Sequence, residues 1–141
     1  DVFPHVTLWQ IAPGQNLLLA SMAPGKLDYC KSRDLFNAMN RQGDLTSSGI
    51  SDINTILAGY LADDRALREY AQGASSNSDL HPRVEFSRFT GNTAAPGILD
   101  HLSSFSVNFE DVINFDRCTD NKEQVLNDLA EKNSALKKGM R

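Results

Sequence analysis

Two apolar segments near the start of the chain, residues 6–11 and 17–22, restrict the possible folds more than any other feature. Both are apolar at successive positions, whereas a half-exposed strand would alternate between apolar and polar residues. Residues 12–15 between them read Ala-Pro-Gly-Gln, which puts Pro and then Gly at the centre, as a type II turn prefers. The sequence therefore predicts an antiparallel β-hairpin whose two faces both need to be covered.

Helical signals follow the hairpin. Apolar residues at loosely helical spacing predict a helix over residues 27–42. Asp63 or Asp64 can cap a later helix, because a short polar side chain accepts a hydrogen bond from the first turn. Between these two helices, Ser51 or Asp52 can cap a further helix, which carries the apolar residues Ile53, Ile56, Leu57 and Tyr60.

The last part of the chain also predicts helices. Residues 98–105 and 109–115 read as two short ones, and Asp120 with Glu123 has the capping-box spacing for a final helix. One side of that helix carries an apolar stripe, which consists of Val125, Leu129, Leu136 and Met140. The helix either packs on its own domain or is the first helix of a repeat array. The array is an alternative because a single repeat cannot bury its own apolar stripe.

Residues 69–86 form the most distinctive segment. After Gly73 the chain becomes rich in Ser, Asn and Asp, whose side chains bond the nearby backbone and so favour turns. Residues 83–86 then read as a short strand. Asp79 and His81 in this loop could in principle form an acid–base pair or bind a metal. A metal site needs further ligands, and no other candidate ligand lies at a suitable spacing. We therefore expect a structural role for Asn77, Asp79, His81, Pro82 and Glu85, and no metal site.

The same segment carries a resemblance to a known family. Asn-Ser-Asp-x-His at residues 77–81, followed by an extended apolar stretch, resembles the late loop of the spermidine synthase (aminopropyltransferase) family. With Pro-x-Val-Glu-Phe behind it, the segment is most similar to bacterial spermidine-synthase-like domains that are fused to multi-pass membrane segments. Residues 2–9 resemble the Phe-Pro start of a late strand of that catalytic domain, and residues 14–21 resemble the strand that returns.

The resemblance spans roughly residues 2–90 and implies a division of the chain into two parts. Residues 1–90 would be the C-terminal segment of a spermidine-synthase-like domain, and residues 91–141 a helical extension. The elements read from the sequence predict an α+β fold: an antiparallel β-hairpin, one short strand near 83–86 and five or six helices. By resemblance, the hairpin would correspond to the late antiparallel strands of a Rossmann-like, methyltransferase-type sheet.

The resemblance also implies two substrate-binding residues. Trp9 lies where the family places aromatic residues near the diamine pocket, and ammonium groups bind over aromatic faces. Gln15 matches the Gly-Gln after the family's turn, where an amide can bond a substrate amine. Each residue has an alternative: Trp9 can fill the core of the hairpin, and Gln15 can be a solvated turn residue. The family's longer connection also carries a diamine-binding tyrosine that residues 12–14 lack.

Catalysis by the isolated chain is not expected. The family binds decarboxylated S-adenosylmethionine with a Gly-rich loop and deprotonates the amine with an Asp, and both precede the hairpin. None of the nine glycines here forms G-x-G-x-x-G. We therefore expect the C-terminal part of a larger protein, with no cofactor of its own and with decarboxylated S-adenosylmethionine as co-substrate of the parent. The alternative is a non-catalytic helical interaction or oligomerisation module.

Composition limits the partners and the compartment. A net charge of −4 argues against nucleic-acid binding, which depends on basic patches. Cys30 and Cys118 are too few for a disulfide framework and lack zinc-site spacing, and Cys30 is expected to pack in the core. A reducing, cytoplasmic location is predicted, with membrane contact only through an upstream fused segment. A homo-oligomer formed through the hairpin, and a polyamine ligand, are the expected partners.

Overall fold

The computed structural model describes residues 3–12, 15–73, 107–116 and 118–139, and the fold is that of these residues. They form a mixed α+β structure, which confirms the predicted class. The elements in chain order are β1 (His5–Ala12), β2 (Gln15–Ser21), β3 (Leu27–Asp28), α1 (Tyr29–Met39), α2 (Asp44–Ser47), α3 (Ile53–Leu57), β4 (Tyr60–Ala62), α4 (Asp64–Tyr70), α5 (Phe109–Val112), β5 (Ile113–Asn114) and α6 (Lys122–Gly139).

The predicted hairpin is confirmed. Strands β1 and β2 pair antiparallel from His5↔Ser21 to Gln10↔Asn16, with an irregularity in register just before the turn. Residues 13 and 14, at the centre of the predicted turn, lie outside the described residues. The hairpin therefore forms the first two strands of a three-stranded antiparallel sheet whose order is β2-β1-β4.

The third strand of this sheet lies where the sequence predicted a helix. Apolar spacing predicts Tyr60 in the helix that begins near residue 53, but α3 ends at Leu57 and Tyr60 begins β4. The reason is Gly59, whose carbonyl accepts a hydrogen bond from the Gln10 amide at 2.7 Å. A Cβ at position 59 would collide with the Gln10 carbonyl oxygen, so only glycine lets the chain approach β1 this closely. The strand predicted at 83–86 lies outside the described residues.

A second, two-stranded sheet changes two predicted helix boundaries. Leu27 and Asp28, predicted as helical, form β3, and Asp28 caps α1 by accepting a hydrogen bond from the Lys31 amide at 2.9 Å. β3 pairs in parallel with β5, so the helix predicted over 109–115 ends at Val112. Strand pairing at both positions satisfies backbone groups that a longer helix would have used internally.

The predicted helix caps are mostly correct. Asp52 accepts a hydrogen bond from the Thr55 amide at 2.8 Å, and Asp63 does the same for the Ala66 amide at 2.8 Å. The capping box predicted for the last helix is wrong. Asn121, the residue before α6, accepts a bond from the Gln124 amide at 3.3 Å, whereas Asp120 pairs with Arg33.

Buried hydrophobic residues lie on both faces of the three-stranded sheet, in two clusters of unequal size. Strand side chains alternate between faces, so Trp9 and Leu8 enter different clusters. The smaller cluster joins Leu8, Leu61 and Ala62 to α4. The larger cluster joins the sheet to α1, α3, α5, β5 and α6, and its buried members are Trp9, Tyr29, Phe36, Ile53, Leu57, Ala58, Tyr60, Phe109, Ile113, Val125 and Leu129.

The last helix is attached to the sheet by an asparagine that the apolar stripe did not predict. Val125 and Leu129 are buried as expected, but the next position on that face is Asn133, which is 5% exposed. Its Nδ2 donates to the carbonyl oxygens of Ala58 at 2.7 Å and Tyr60 at 2.9 Å. These carbonyls flank Gly59, so one amide group holds the turn that brings β4 against β1.

Replacing Asn133 with Ala should lower the free energy of unfolding by about 2–3 kcal/mol, because two carbonyl acceptors lose their side-chain donor and a small cavity remains. Asn127→Ala is the matched control, because Asn127 is exposed on the same helix. It should change stability by less than about 0.5 kcal/mol. Urea unfolding followed by circular dichroism measures both variants, and equal effects would contradict the anchoring role.

Candidate functional site

Trp9, the first predicted substrate-binding residue, lies in the core. Its ring is 7% exposed and contacts Tyr60 edge-on, with 5.2 Å between the ring centroids. Its Nε1 donates a hydrogen bond to Thr7 Oγ1 at 2.8 Å. Burial raises the pKa of Tyr60 above its usual value. This arrangement agrees with the alternative in which Trp9 fills the core of the hairpin. Little of the Trp9 ring is accessible to a ligand.

Gln15, the second predicted substrate-binding residue, is exposed at the start of β2. All seven residues of this strand are exposed. They include Leu17 at 42%, Leu18 at 60% and Leu19 at 45%, three residues we call the β2 edge. Because adjacent strand residues point to opposite faces, the β2 edge is apolar and uncovered on both faces within the described part of the chain.

The five residues assigned to the polar loop lie outside the described residues, and their predicted structural role stays a prediction. They are Asn77, Asp79, His81, Pro82 and Glu85.

The structure corrects the interpretation of the two cysteines. Cys30, expected to be a packed thiol, forms a disulfide with Cys118 across 88 residues of sequence, with 5.5 Å between the Cα atoms. Cys30 lies in the first turn of α1, and Cys118 lies in the loop before α6. Sequence spacing gave no sign of this pairing, because the β3–β5 pairing brings the start of α1 beside the loop before α6.

A carboxylate and a guanidinium lie beside the disulfide. Asp120 Oδ2 is 3.7 Å from Cys30 Sγ and forms an ion pair with Arg33. We call Cys30, Cys118 and Asp120 the thiol cluster, because one potential ligand atom from each lies within 4.8 Å of the others. All three are half-buried. Arg33 also pairs with Asp34 at 3.0 Å, and the hydrogen bond to Asp34 raises the Arg33 pKa.

A second polar network ties α1 and α3 to α6. The Tyr29 hydroxyl donates to Asn54 Oδ1 at 3.0 Å, and Asn54 Nδ2 donates to Asp128 at 2.7 Å. Lys132 then binds Asp128 at 3.0 Å and Asp52 at 2.8 Å. The network connects three helices around the larger core, and each of its carboxylates has a cationic or amide partner.

This network shifts the pKa values of its members. Burial raises the pKa of Tyr29. Partial burial alone would raise the pKa of Asp52, but hydrogen bonds from Lys132 and Thr55 outweigh it and the pKa is lowered. Burial alone would lower the pKa of Lys132, and its bonds to Asp52 and Asp128 raise it instead. Both ions of the Asp52–Lys132 pair are therefore charged near neutral pH.

Neither the fold nor the sequence connects the chain to a known protein by direct comparison. None of the helices in the described ranges is both long and apolar enough to cross a bilayer. No protein-family model matches the chain, and no match was found among curated proteins or solved structures.

Asp52→Asn tests the role of charge in the polar network that joins α1 and α3 to α6. The substitution removes the charge of Asp52 but keeps a side chain that can cap α3. The Asp52 pKa is lowered by folding, so its contribution is complete above the ordinary value of 3.8 and is lost as the pH falls through the folded-state value. The wild type should exceed the variant by about 0.5–1 kcal/mol at neutral pH, and the difference should vanish near pH 2. Unfolding measured across this range, with the exposed Asp116→Asn as control, checks it. A difference independent of pH would contradict the assignment.

Proposed function

We propose that this chain is the C-terminal segment of a spermidine-synthase-like protein, in which the β2 edge joins the remaining strands of a Rossmann-like catalytic sheet. The observation that carries the proposal is the exposure of every residue of β2. Together with the motifs at residues 2–21 and 77–86, it supports the proposal that the hairpin is the late, antiparallel part of a larger sheet.

The position of β2 in the described sheet supports this proposal. β1 is paired on both sides, with β2 and with β4, whereas β2 is an outer strand. Helices bury Leu8 and Trp9 on opposite faces of β1. Burial of a leucine contributes about 1.5–3 kcal/mol, so covering the β2 edge would add substantially to stability. Further strands beyond β2, with their own covering helices, would supply that burial on both faces.

The hairpin would then contribute one wall of a polyamine or nucleoside pocket. Gln15 is exposed beside the turn, and its amide group offers both a donor and an acceptor to a substrate amine. Trp9 is the residue that fixes β1 against the core, with its indole N–H bonded to Thr7. In this proposal Gln15 on β2 contacts the substrate, and Trp9 fixes β1, the strand with which β2 pairs.

The chemistry would reside elsewhere in the parent protein. A Gly-rich loop would bind decarboxylated S-adenosylmethionine and an acid would deprotonate the acceptor amine, and the resemblance puts both before the hairpin. The isolated chain is therefore proposed to be inactive. The proposed location is the cytoplasm, or the cytoplasmic side of a membrane protein. Disulfides are rare there, so this location requires Cys30 and Cys118 to be reduced in the cell.

Aminopropyl transfer tests the proposal. The gene product that contains this chain together with its upstream sequence should transfer an aminopropyl group from decarboxylated S-adenosylmethionine to a diamine, whereas the isolated chain should give no detectable product by mass spectrometry. In the longer protein, Gln15→Ala should raise the KM for the amine by roughly 2–10-fold, the equivalent of one lost hydrogen bond.

Gln42→Ala, at an exposed position away from the hairpin, is the control and should leave the KM unchanged. Turnover by the isolated chain at the rate of the longer protein would refute the proposed division of the chemistry. A longer protein inactive with every diamine and polyamine tested would favour the second candidate function.

The second candidate is an oligomerisation module, and the composition of β2 favours it. The strand contains no charged residue and no proline, which are the usual protections of an edge strand against pairing with another chain. A two-fold axis through Leu18 would place Leu17 opposite Leu19 of the second copy without opposing like charges. Two-fold contacts are the commonest way to close such a surface.

Leu18→Lys tests self-association through the β2 edge. The isolated chain should form a dimer or larger assembly at micromolar concentration, and the variant should weaken it by at least about tenfold, because a lysine charge would have to be buried. Leu35→Lys is a matched control: Leu35 on α1 is also 60% exposed, and its replacement should have no effect. Light scattering that finds a monomeric wild type, or equal weakening by both variants, would exclude this interface.

A further inference from the structure

We propose that Cys30, Cys118 and Asp120 form a binding site for a zinc-like divalent cation when the protein is reduced, and that the Cys30–Cys118 disulfide closes this site when the protein is oxidised. The proposal goes beyond the function proposed above and does not depend on it. It also differs from the expectation drawn from sequence spacing, which gave no metal site because 88 residues separate the cysteines.

The ligand atoms are close enough for one metal ion. Zinc binds thiolate sulfur at about 2.3 Å and carboxylate oxygen at about 2.0–2.2 Å, so neighbouring ligand atoms in a tetrahedral site are roughly 3.5 Å apart. The two sulfurs and the Asp120 oxygen all lie within 4.8 Å of one another. Small rotations of the side chains therefore bring the reduced cluster to metal-binding geometry, with a fourth position left for water.

The charges of the cluster also suit a divalent cation. Two thiolates and one carboxylate carry three negative charges, and Arg33 is shared between Asp120 and the exposed Asp34. A divalent cation offsets most of the negative charge of the three ligands, which is favourable in a half-buried position. Arg33 bonds Asp120 Oδ2, the same oxygen that faces Cys30. Metal binding therefore requires the carboxylate to turn, so that Oδ1 binds the metal while Arg33 stays on Oδ2 as an outer partner.

The surrounding structure holds the ligands in place without the disulfide. Tyr29, next to Cys30, stacks on Phe115 with 5.2 Å between the ring centroids. The β3–β5 pairing joins the residues that precede α1 to those that precede Cys118. The helix that follows Asp120 is attached separately through Asn133 and Lys132. Reduction should therefore leave the thiol cluster assembled.

Oxidation and metal binding exclude each other in this site. A dithiol reductant supplies two electrons and two protons to the disulfide, which gives two protein thiols and converts the reductant to its own disulfide. Metal binding then releases the two thiol protons, because the thiolate is the ligand. The oxidised chain has no thiolate to offer. The cluster is thus a metal site under reducing conditions and a covalent cross-link under oxidising conditions.

Cobalt(II) is the probe for this site, because thiolate ligation gives it a near-ultraviolet charge-transfer band and tetrahedral geometry gives strong visible bands. The reduced full chain, freed of excess reductant under anaerobic conditions, should show both at one cobalt per chain, and zinc should displace it. The oxidised chain should show neither band. Circular dichroism should give the same helix content for the reduced and oxidised chains.

Amino-acid substitutions distinguish metal binding by all three proposed ligands from metal binding by the two thiols alone. Asp120→Asn should weaken cobalt binding by at least about tenfold, because losing even an outer partner of a metal ligand typically costs about 10–100-fold in affinity. Asp116→Asn, at an exposed position nearby, should leave it unchanged. Cys30→Ser and Cys118→Ser should each abolish the charge-transfer band of the three-ligand site.

Three results would overturn the proposal. They are a reduced wild-type chain without the thiolate–cobalt band, a reduced chain that loses its helix content, and equal cobalt affinity in Asp120→Asn and wild type. The first and second would leave the cysteines as a disulfide cross-link only. The third would reduce the site to a pair of thiols. Because the wild type and Asp120→Asn supply all three results, poor folding of a cysteine variant does not affect the test.

Discussion

The turn at residues 58–60 is the constraint on which the rest of the structure depends. Gly59 lets the backbone reach Gln10, and the two bonds from Asn133 hold the carbonyls on either side of the turn. These contacts add β4 to the hairpin and attach α6 to the sheet. An unpaired carbonyl here would be costly, since buried polar groups contribute to stability only when they are bonded. The larger core, with Trp9, Tyr60 and Leu129, assembles around this point.

The parts of the fold predicted from sequence are those determined by local chemistry. Strand-like apolar runs predicted the hairpin, and Asp52 and Asp63 predicted two helix starts. β4 was missed because its three residues continue the apolar helical spacing, and only the close approach at Gly59 identifies the turn. Contacts between distant segments were also missed. The Cys30–Cys118 pairing and the burial of a polar Asn133 depend on tertiary packing, which no spacing in the sequence encodes.

The candidate sites differ in how they could be found. Gln15 is exposed beside the turn, as a substrate-binding residue would be, whereas Trp9 is buried in the core. The spacing of the sequence did not predict the thiol cluster. Only the folded structure brings its two cysteines and its carboxylate together. The roles proposed for the β2 edge and for the thiol cluster are distinct. The first is the addition of strands, and the second is a change between a cross-link and a metal site.

Amide hydrogen exchange of β2 tests the central claim, that strands outside this chain complete the sheet at β2. In an antiparallel pair alternate amides bond to the partner strand, and the others point away from it. The outward amides around Leu18 should exchange slowly in the longer protein. They should exchange rapidly in the Leu18→Lys form of the isolated chain, under conditions where the amide of Gln10 stays protected. Equally rapid exchange of the outward β2 amides in both proteins would contradict the account.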